Sequence, residues 1–584
     1  MATTKRYRNE EDHEADDIDV EKLNQQLSDI YFPNSDSNND VRVYDYKHDE
    51  EGRLIFQNKR HHHGGIAAIS GLVEKLHGRQ IYKMNTKERE AIDNEIHCVE
   101  SRSVQESPSM IFSALHEMRK EIDENLEQEL EENGEGQGAL FRKEAHKRGL
   151  QIHSHYIQSD EFRIRFLRAE LFDVQKAAVR YFRFLDVLHS FFGDEALTRP
   201  LFLQDLTKRE RQYLKNGHQQ LLRSRDRSGR RIYVWLGFSH PSITQLERFR
   251  TATYLLDVLA QDEETQQLGH VLVMKIPRSG RFTMTAKSPQ YWKRTVMSSP
   301  VRPSALHICV PDSFIMQIIQ PFAFWLLDAR SQSILRFHGG SQIENNYHLG
   351  GFGMKSRDIP MAYDGKIKTK NVTRFIQART MIEAFQKKQI QTLENQQSGL
   401  KSDTTTSRTS NIGRISGSKI GMIECPGTNC VVFGDKNMFE HTANVRFRRM
   451  LLVLERQRME RIVSCDQTLA GSVSAYVDEI VDIALSLKNQ QDQQEALRFY
   501  AYEKDQSVYR EIVDKAELHK RILPVLRDFR KRHRENRLSL DFPEATNQAV
   551  QALENLRDVA EGSSILGLTA YKRTKKDKNG FCPC

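Results

Sequence analysis

A chain of 584 residues has room for two or more domains and at least one large core. With 28% charged residues and a mean hydropathy of −0.64, long parts of it are expected to stay unpacked, and no segment offers the roughly 20 apolar residues a membrane span needs. A formal net charge of +8 is small for this length and does not by itself mark a nucleic-acid binder. The seven cysteines are few, odd in number and mostly scattered, which argues against a disulfide framework and for a reducing compartment.

Residues 1–150 are rich in Asp, Glu, Asn, Gln and Ser, with apolar islands at Ile66 to Leu76 and Met110 to Ile122. They predict a largely disordered acidic and polar region with one or two transient helices, the second running into the acidic run Glu124 to Glu135. The opening MATTKRYRNEEDHEADD has no apolar core of a targeting signal, so a cytoplasmic location is expected, with transient peripheral contact at membranes. Adjacent His61 to His63 on such a segment cannot preorganise three metal ligands, and no metal site is expected there.

The texture changes across 151–385. Glu161 to Leu188 carries apolar residues at helical spacing and predicts two packed helices meeting near Phe172-Asp173, with Asp173 capping the second. A basic helix-like stretch, DLTKRERQYLKNGHQQLL, precedes the turn RDRSGRR. The cations from Lys208 to Arg231 read as a solvated face or as a membrane-docking patch. Strands follow at Ile232 to Gly237, His270 to Ile276, Ser304 to Val310 and Ser333 to Gly339, separated by helical stretches. The fold class is therefore α/β, a helical N-terminal lobe and a mostly parallel sheet covered by helices.

The segment Phe314 to Ala329, FIMQIIQPFAFWLLDA, is the most apolar of the chain. As a helix it places Ser313, Gln317, Gln320 and Asp328 on one narrow stripe, so it is either buried on all sides or closes over an apolar ligand. Pro321 marks a kink or a hinge in it.

Residues 386–422 read as a flexible linker of Ser, Thr, Gly and Asn. A mainly helical small domain is expected at 423–540, followed at 541–584 by a C-terminal helix and basic tail. The spacing of Cys425 and Cys430 does not suit zinc, and the ending Cys582-Pro583-Cys584 fails the C-a-a-X pattern for prenylation.

FLRAELFDVQKA, DRSGRRIYVWLG, LHICVPDSF and ILRFHGG, in this order and spacing, resemble the CRAL-TRIO lipid-binding family over residues of about 160–385, to the ending Asp358 to Ile367. The resemblance implies a helical lobe, an α/β lobe with a deep apolar pocket, and Phe314 to Leu327 as its mobile gate. On this reading the lipid is lined by Tyr233, Trp235, Leu272, Met274, His307 and Cys309 from the strands and by Phe314, Ile318, Phe322 and Trp325 from the gate. Members that bind phosphatidylinositol carry Ala-Arg-Lys-Phe-Asp where this chain has Ala169-Glu170-Leu171-Phe172-Asp173, and Pro-Glu-Arg where it has Pro300-Val301-Arg302. The expected ligand is thus a phospholipid or another hydrophobic small molecule without that headgroup, with Arg302 as the remaining headgroup or anion contact.

VVFGDKNMFEHTANVRFRRM resembles a domain of unknown function common in diatom proteins, keeping His441, Asn444 and Phe447-Arg448. The arginines of the following helix invite nucleic acid, whereas its glutamates and apolar face favour a protein partner through 423–540. The chain shows no nucleophile elbow, phosphate-binding glycine loop or zinc-binding His/Glu motif, so neither an enzyme nor a cofactor is expected. The function expected is soluble lipid binding or transfer. The alternative is a scaffold or nucleic-acid-binding regulator acting through the C-terminal domain, with a lipid-sensing or vestigial lipid fold.

Overall fold

The computed structural model describes residues 44–48, 54–58, 84–131, 143–236, 243–276, 288–311, 327, 329–362, 366–398, 421–463, 473–486 and 497–534. The chain divides into two compact units, one running to Cys425 and taking in Asp505–Val508, the other comprising Pro426–Lys504 and continuing from Tyr509. Among the described residues no helix is long and apolar enough to cross a membrane.

The first unit is mixed α/β. Strands β1 (Tyr44–His48) and β2 (Leu54–Asn58) pair antiparallel, with Tyr44 opposite Asn58. Helices α1 (Thr86–Ile96), α2 (Pro108–Glu131) and α3 (Glu144–Gln151) correct the expectation of disorder over 84–131 and 143–150; most of residues 1–83 and all of 132–142 lie outside the described residues. On α2, Ala114, Leu115, Met118 and Ile122 are spaced to share one face, and all four are buried in the main core. The stripe is the apolar island Met110 to Ile122, and its burial in the core makes a packed helix of the one expected to be transient.

Helices α4 (Asp160–Ala169) and α5 (Val174–Phe192) form the expected pair. Ser159 caps α4 by accepting from Phe162 N, and Asp173 caps α5 by accepting from Lys176 N. Between them Leu171 and Phe172 adopt φ of 54° and 64°, a left-handed pair that side chains resist and that reverses the chain tightly. Phe162, Phe166, Tyr181 and Phe184 interlock in this helical layer at centroid distances of 5.3–6.5 Å.

Helix α6 (Lys208–Lys215) opens on a capping box of Thr207 and Glu210 and is followed by Gly217 at φ 81°. That glycine frees the chain to turn into β3 (Gln219–Arg225), where a continuing helix-like stretch was expected. The central sheet has the order β3-β4-β5-β6-β7, with β4 (Arg231–Leu236), β5 (His270–Lys275), β6 (Pro303–Val310) and β7 (Leu335–Gly339). Strand β3 runs antiparallel to β4, and every later pair is parallel. The connections include α7 (Gln245–Leu259), α8 (Glu263–Leu268), α9 (Ser288–Thr295) and α10 (Ala329–Ile334). β4, β5 and β6 are buried along their whole length, as strands covered on both faces must be.

Helix α11 (Gln342–Gly351) follows β7, and α12 (Lys370–Ser398) packs along β3. α12 runs past the expected boundary at 385 and into the expected linker. Past that boundary it stays engaged: Gln386 Nε2 donates to Gln261 Oε1 at 3.1 Å and Lys387 Nζ to Gln204 Oε1 at 2.6 Å, just beyond Glu383, which accepts from Tyr254 Oη at 2.7 Å. Strand β8 (Met422–Ile423) and the residues after it also belong to this unit, Glu424 pairing with Arg231 at 3.2 Å.

In the second unit β9 (Cys430–Phe433) pairs parallel with β10 (Arg498–Glu503), beside β11 (Val508–Glu511). Helices α13 (Thr442–Val463), α14 (Val473–Ser486) and α15 (Lys515–Arg534) supply the rest of its core, including Phe447, Leu451, Val477, Ile480 and Ile522.

Candidate functional site

In open, mostly parallel sheets ligands bind beyond the carboxyl ends of the strands, where loops rather than the rigid ladder shape the surface. The segments leaving β4, β5 and β6 at that end, 237–242, 277–287 and 312–326, lie outside the described residues. The predicted gate contacts Phe314, Ile318, Phe322 and Trp325 lie there too, as do His61 to His63 and Cys582 to Cys584. Leu327 is described, and packs half-buried against the main core.

Strand register separates the predicted strand contacts into two sets. Tyr233 pairs with Leu272, and Trp235 with Met274. Their neighbours on β6 are Leu306 and Ile308, and on β7 Leu335 and Phe337. Since laterally paired residues point to one side of a sheet, these residues form a single apolar face. His307 pairs with Val273 and Cys309 with Lys275, so both project to the opposite face. This corrects the expected lining: alternation within a strand was readable, but the relative parity of two strands depends on a register that shifts between His270 and Val271.

The apolar face is aromatic where it meets the helices. Trp235 packs edge-on against Phe249 of α7 at 5.4 Å and stacks on Trp292 of α9 at 6.4 Å. Tyr233 Oη donates to Gln219 Oε1 at 2.8 Å, and burial holds its phenol well above the usual range.

The opposite face is polar at its carboxyl end. Lys275, last residue of β5 and 2% exposed, donates from Nζ to Asn346 Oδ1 on α11 at 2.6 Å. Cys309 lies beside it in register, its thiol pushed up to about 12 by burial despite the nearby lysine. Next across the sheet, His338 pairs with Cys309, and its Nε2 shares a 3.0 Å hydrogen bond with His307 Nδ1. Burial, assisted by His348, Arg336 and Lys275, pushes His338 down to about 4, and burial likewise holds His307 well below the usual range. Phe352 closes over both rings, with centroids 4.6 and 5.3 Å away. The sequence signal for this cluster was slight: one lysine ending the otherwise apolar HVLVM.

Arg302 lies just before β6, at the amino end of the sheet. Both of its terminal nitrogens donate to the Glu95 carboxylate, at 2.6 and 2.7 Å, and the two residues are each 1% exposed. The anion expected at Arg302 is thus the chain's own glutamate, on a helix the sequence reading had placed in a disordered region. Glu170 is likewise neutralised internally, by Arg180 at 2.5 Å and Arg330 at 2.5 Å. The cation run is no single surface: Arg225, Arg230 and Arg231 enter ion pairs with Asp262, Asp226 and Glu424 at 2.5, 2.7 and 3.2 Å. Among the described residues no group of three His, Cys, Asp or Glu could hold a metal ion.

In the second unit, Asn444 Oδ1 accepts from Val432 N at 2.7 Å, and its Nδ2 donates to Val432 O at 2.9 Å and Met438 O at 3.0 Å. Phe447 packs against Phe433 and Phe499, and Arg448 covers the Phe439 ring at 3.8 Å. These motif residues therefore tie α13 to β9 and fill the core. No family model matches the chain, and no curated protein matches it either.

Proposed function

We propose that this protein binds and transfers a lipid, in a CRAL-TRIO-like lobe of helices and sheet. The observation that carries the reading is the continuous apolar face of the sheet, Tyr233 and Trp235 through Met274 and Ile308 to Phe337, next to which the most apolar segment of the chain leaves β6. The sheet's antiparallel edge strand, its four parallel strands and the helical layer preceding them agree with the family resemblance. Each methylene moved from water to such a wall stabilises the complex by about 0.8 kcal/mol, so a long hydrocarbon is favoured over a small polar ligand. The segment Phe314 to Ala329 serves as the lid, opening at a membrane surface and closing over one molecule. No residue of this machinery needs to be catalytic.

The alternative, regulation through nucleic acid bound by the second unit, has less support. Arg510 and Arg530 pair with Glu517 and Glu455 at 2.8 Å each, which leaves less cation for phosphates. Transfer is tested by mixing donor vesicles of fluorescent phosphatidylcholine with unlabelled acceptors. A substoichiometric amount of protein is expected to speed exchange well above the protein-free rate. Exchange at the protein-free rate for every lipid tried would overturn the reading.

A further inference from the structure

Most cations buried among the described residues are paired. Arg302 has Glu95, Arg230 has Asp226, and Arg180 has Glu170. Lys275 and Arg248 are exceptions: among the described residues the Lys275 ammonium meets one neutral amide and no carboxylate, and Arg248, 6% exposed, enters no ion pair. An ammonium carries three N–H donors, so two are left without an acceptor among the described residues. His307 and His338 occupy each other, and the Nε2 of fully buried His307 has no partner among the described residues. Asp93 is paired with Arg336 at 2.7 Å, and Glu344, two residues before Asn346 on α11, caps that helix by accepting from Ser341 N at 2.6 Å. The His338 ring stacks at 5.8 Å on His348, which is exposed, so the cluster extends to solvent.

A buried ammonium without a counter-ion costs several kcal/mol, and an anion that met Lys275 at the open end of its strand would relieve that cost. We propose that Lys275, with Asn346 orienting it and His338 beside it, binds one anionic oxygen group, a phosphate or carboxylate, at the carboxyl end of the sheet. This deepens the lipid-binding reading and rests on it for the source of the anion, the headgroup of an acidic lipid that reaches Lys275 around the carboxyl end of β5, since Lys275 projects to the face opposite the apolar one; a free phosphate offers the same chemistry to the same donors. The histidines do not form a metal site instead, because their rings stack on one another and no third ligand converges with them among the described residues.

The full chain is incubated with phosphatidylcholine vesicles carrying labelled phosphatidic acid or labelled diacylglycerol of the same acyl chains, and separately with inorganic phosphate while its melting is followed. Phosphatidic acid is expected to be retained at least about tenfold more tightly than diacylglycerol. Lys275→Met is expected to abolish that preference and leave diacylglycerol retention intact. Asn346→Asp, which offers Lys275 an internal anion, is expected to abolish it too, so the test does not depend on one variant folding. Equal retention of both lipids, or a preference that survives both variants, overturns the anion site and leaves the lipid reading standing. No lipid retained, but a phosphate-induced rise in melting temperature that Lys275→Met removes, supports the anion site with free phosphate as its source and overturns the lipid reading. No lipid retained and no response to phosphate overturns both.

Discussion

Arg302 and Lys275 are buried cations on neighbouring strands, at opposite ends of one sheet. Arg302, at the amino end, is gripped by both oxygens of Glu95, whereas Lys275, at the carboxyl end, is met by a single amide. The amino end is closed in other ways as well: Arg230 is bound by Asp226 at 2.7 Å and donates to Glu95 O at 2.6 Å, so α1 is fastened to the starts of β4 and β6. Electrostatic completeness at one end and a deficit at the other separate the part of the sheet that holds the fold from the part free to meet a ligand. The same division is expected of parallel sheets in general, whose strands point their carboxyl ends at ligands.

The largest effect should come from opening the closed end. Glu95→Gln leaves Arg302 buried without a charge partner and is expected to lower the unfolding free energy by about 3–5 kcal/mol, measured by urea denaturation. A loss below about 1 kcal/mol would place Arg302 in contact with water and remove the contrast.

A second effect is set by pH. His270 at the amino end is pushed down to about 3 by burial, with Arg302 and Arg180 adding to it, and His338 at the carboxyl end is pushed down to about 4. Both take up protons more readily in the unfolded chain, whose histidines titrate near 6.5. Their contribution to stability is therefore complete above pH 6.5 and is lost as pH falls toward 4, by about 1.4 kcal/mol per pH unit for each histidine. Urea midpoints between pH 7 and pH 4 check this, and His270→Gln and His338→Gln should each flatten the slope. A bound anion at Lys275 should flatten only the contribution of His338.

The smallest effect has the opposite sign. Lys275→Met is expected to raise the stability of the ligand-free chain by at least about 1 kcal/mol, because it removes a buried charge that meets no carboxylate among the described residues. Destabilisation of the same size would show that the ammonium is compensated and that the two ends are alike.

Much of the fold was legible because its determinants are local. Asp173 announces α5 by the hydrogen bond it accepts, and β4, β5 and β6 are apolar runs bounded by turns. β3 was hidden, since Gln219 to Arg225 is polar at both ends and its identity as a strand comes from pairing with β4. The site was less legible than the fold. That Tyr233 and Met274 share a face while His307 does not depends on pairing between strands, which no single strand records. Glu95 was missed for the same reason: its partner is Arg302, 207 residues away. In the second unit, Asn444 reads as a motif residue, but its work of bonding the β9 backbone emerges only when α13 and β9 are placed together.

The claim that a hydrophobic molecule occupies the apolar face is tested most directly by native mass spectrometry of the full chain after incubation with mixed phospholipid vesicles. The account predicts a complex of one protein with one lipid, its share falling when Ile308→Asp places a charge on that face. A spectrum showing only the protein mass, for a chain that remains folded, would contradict it.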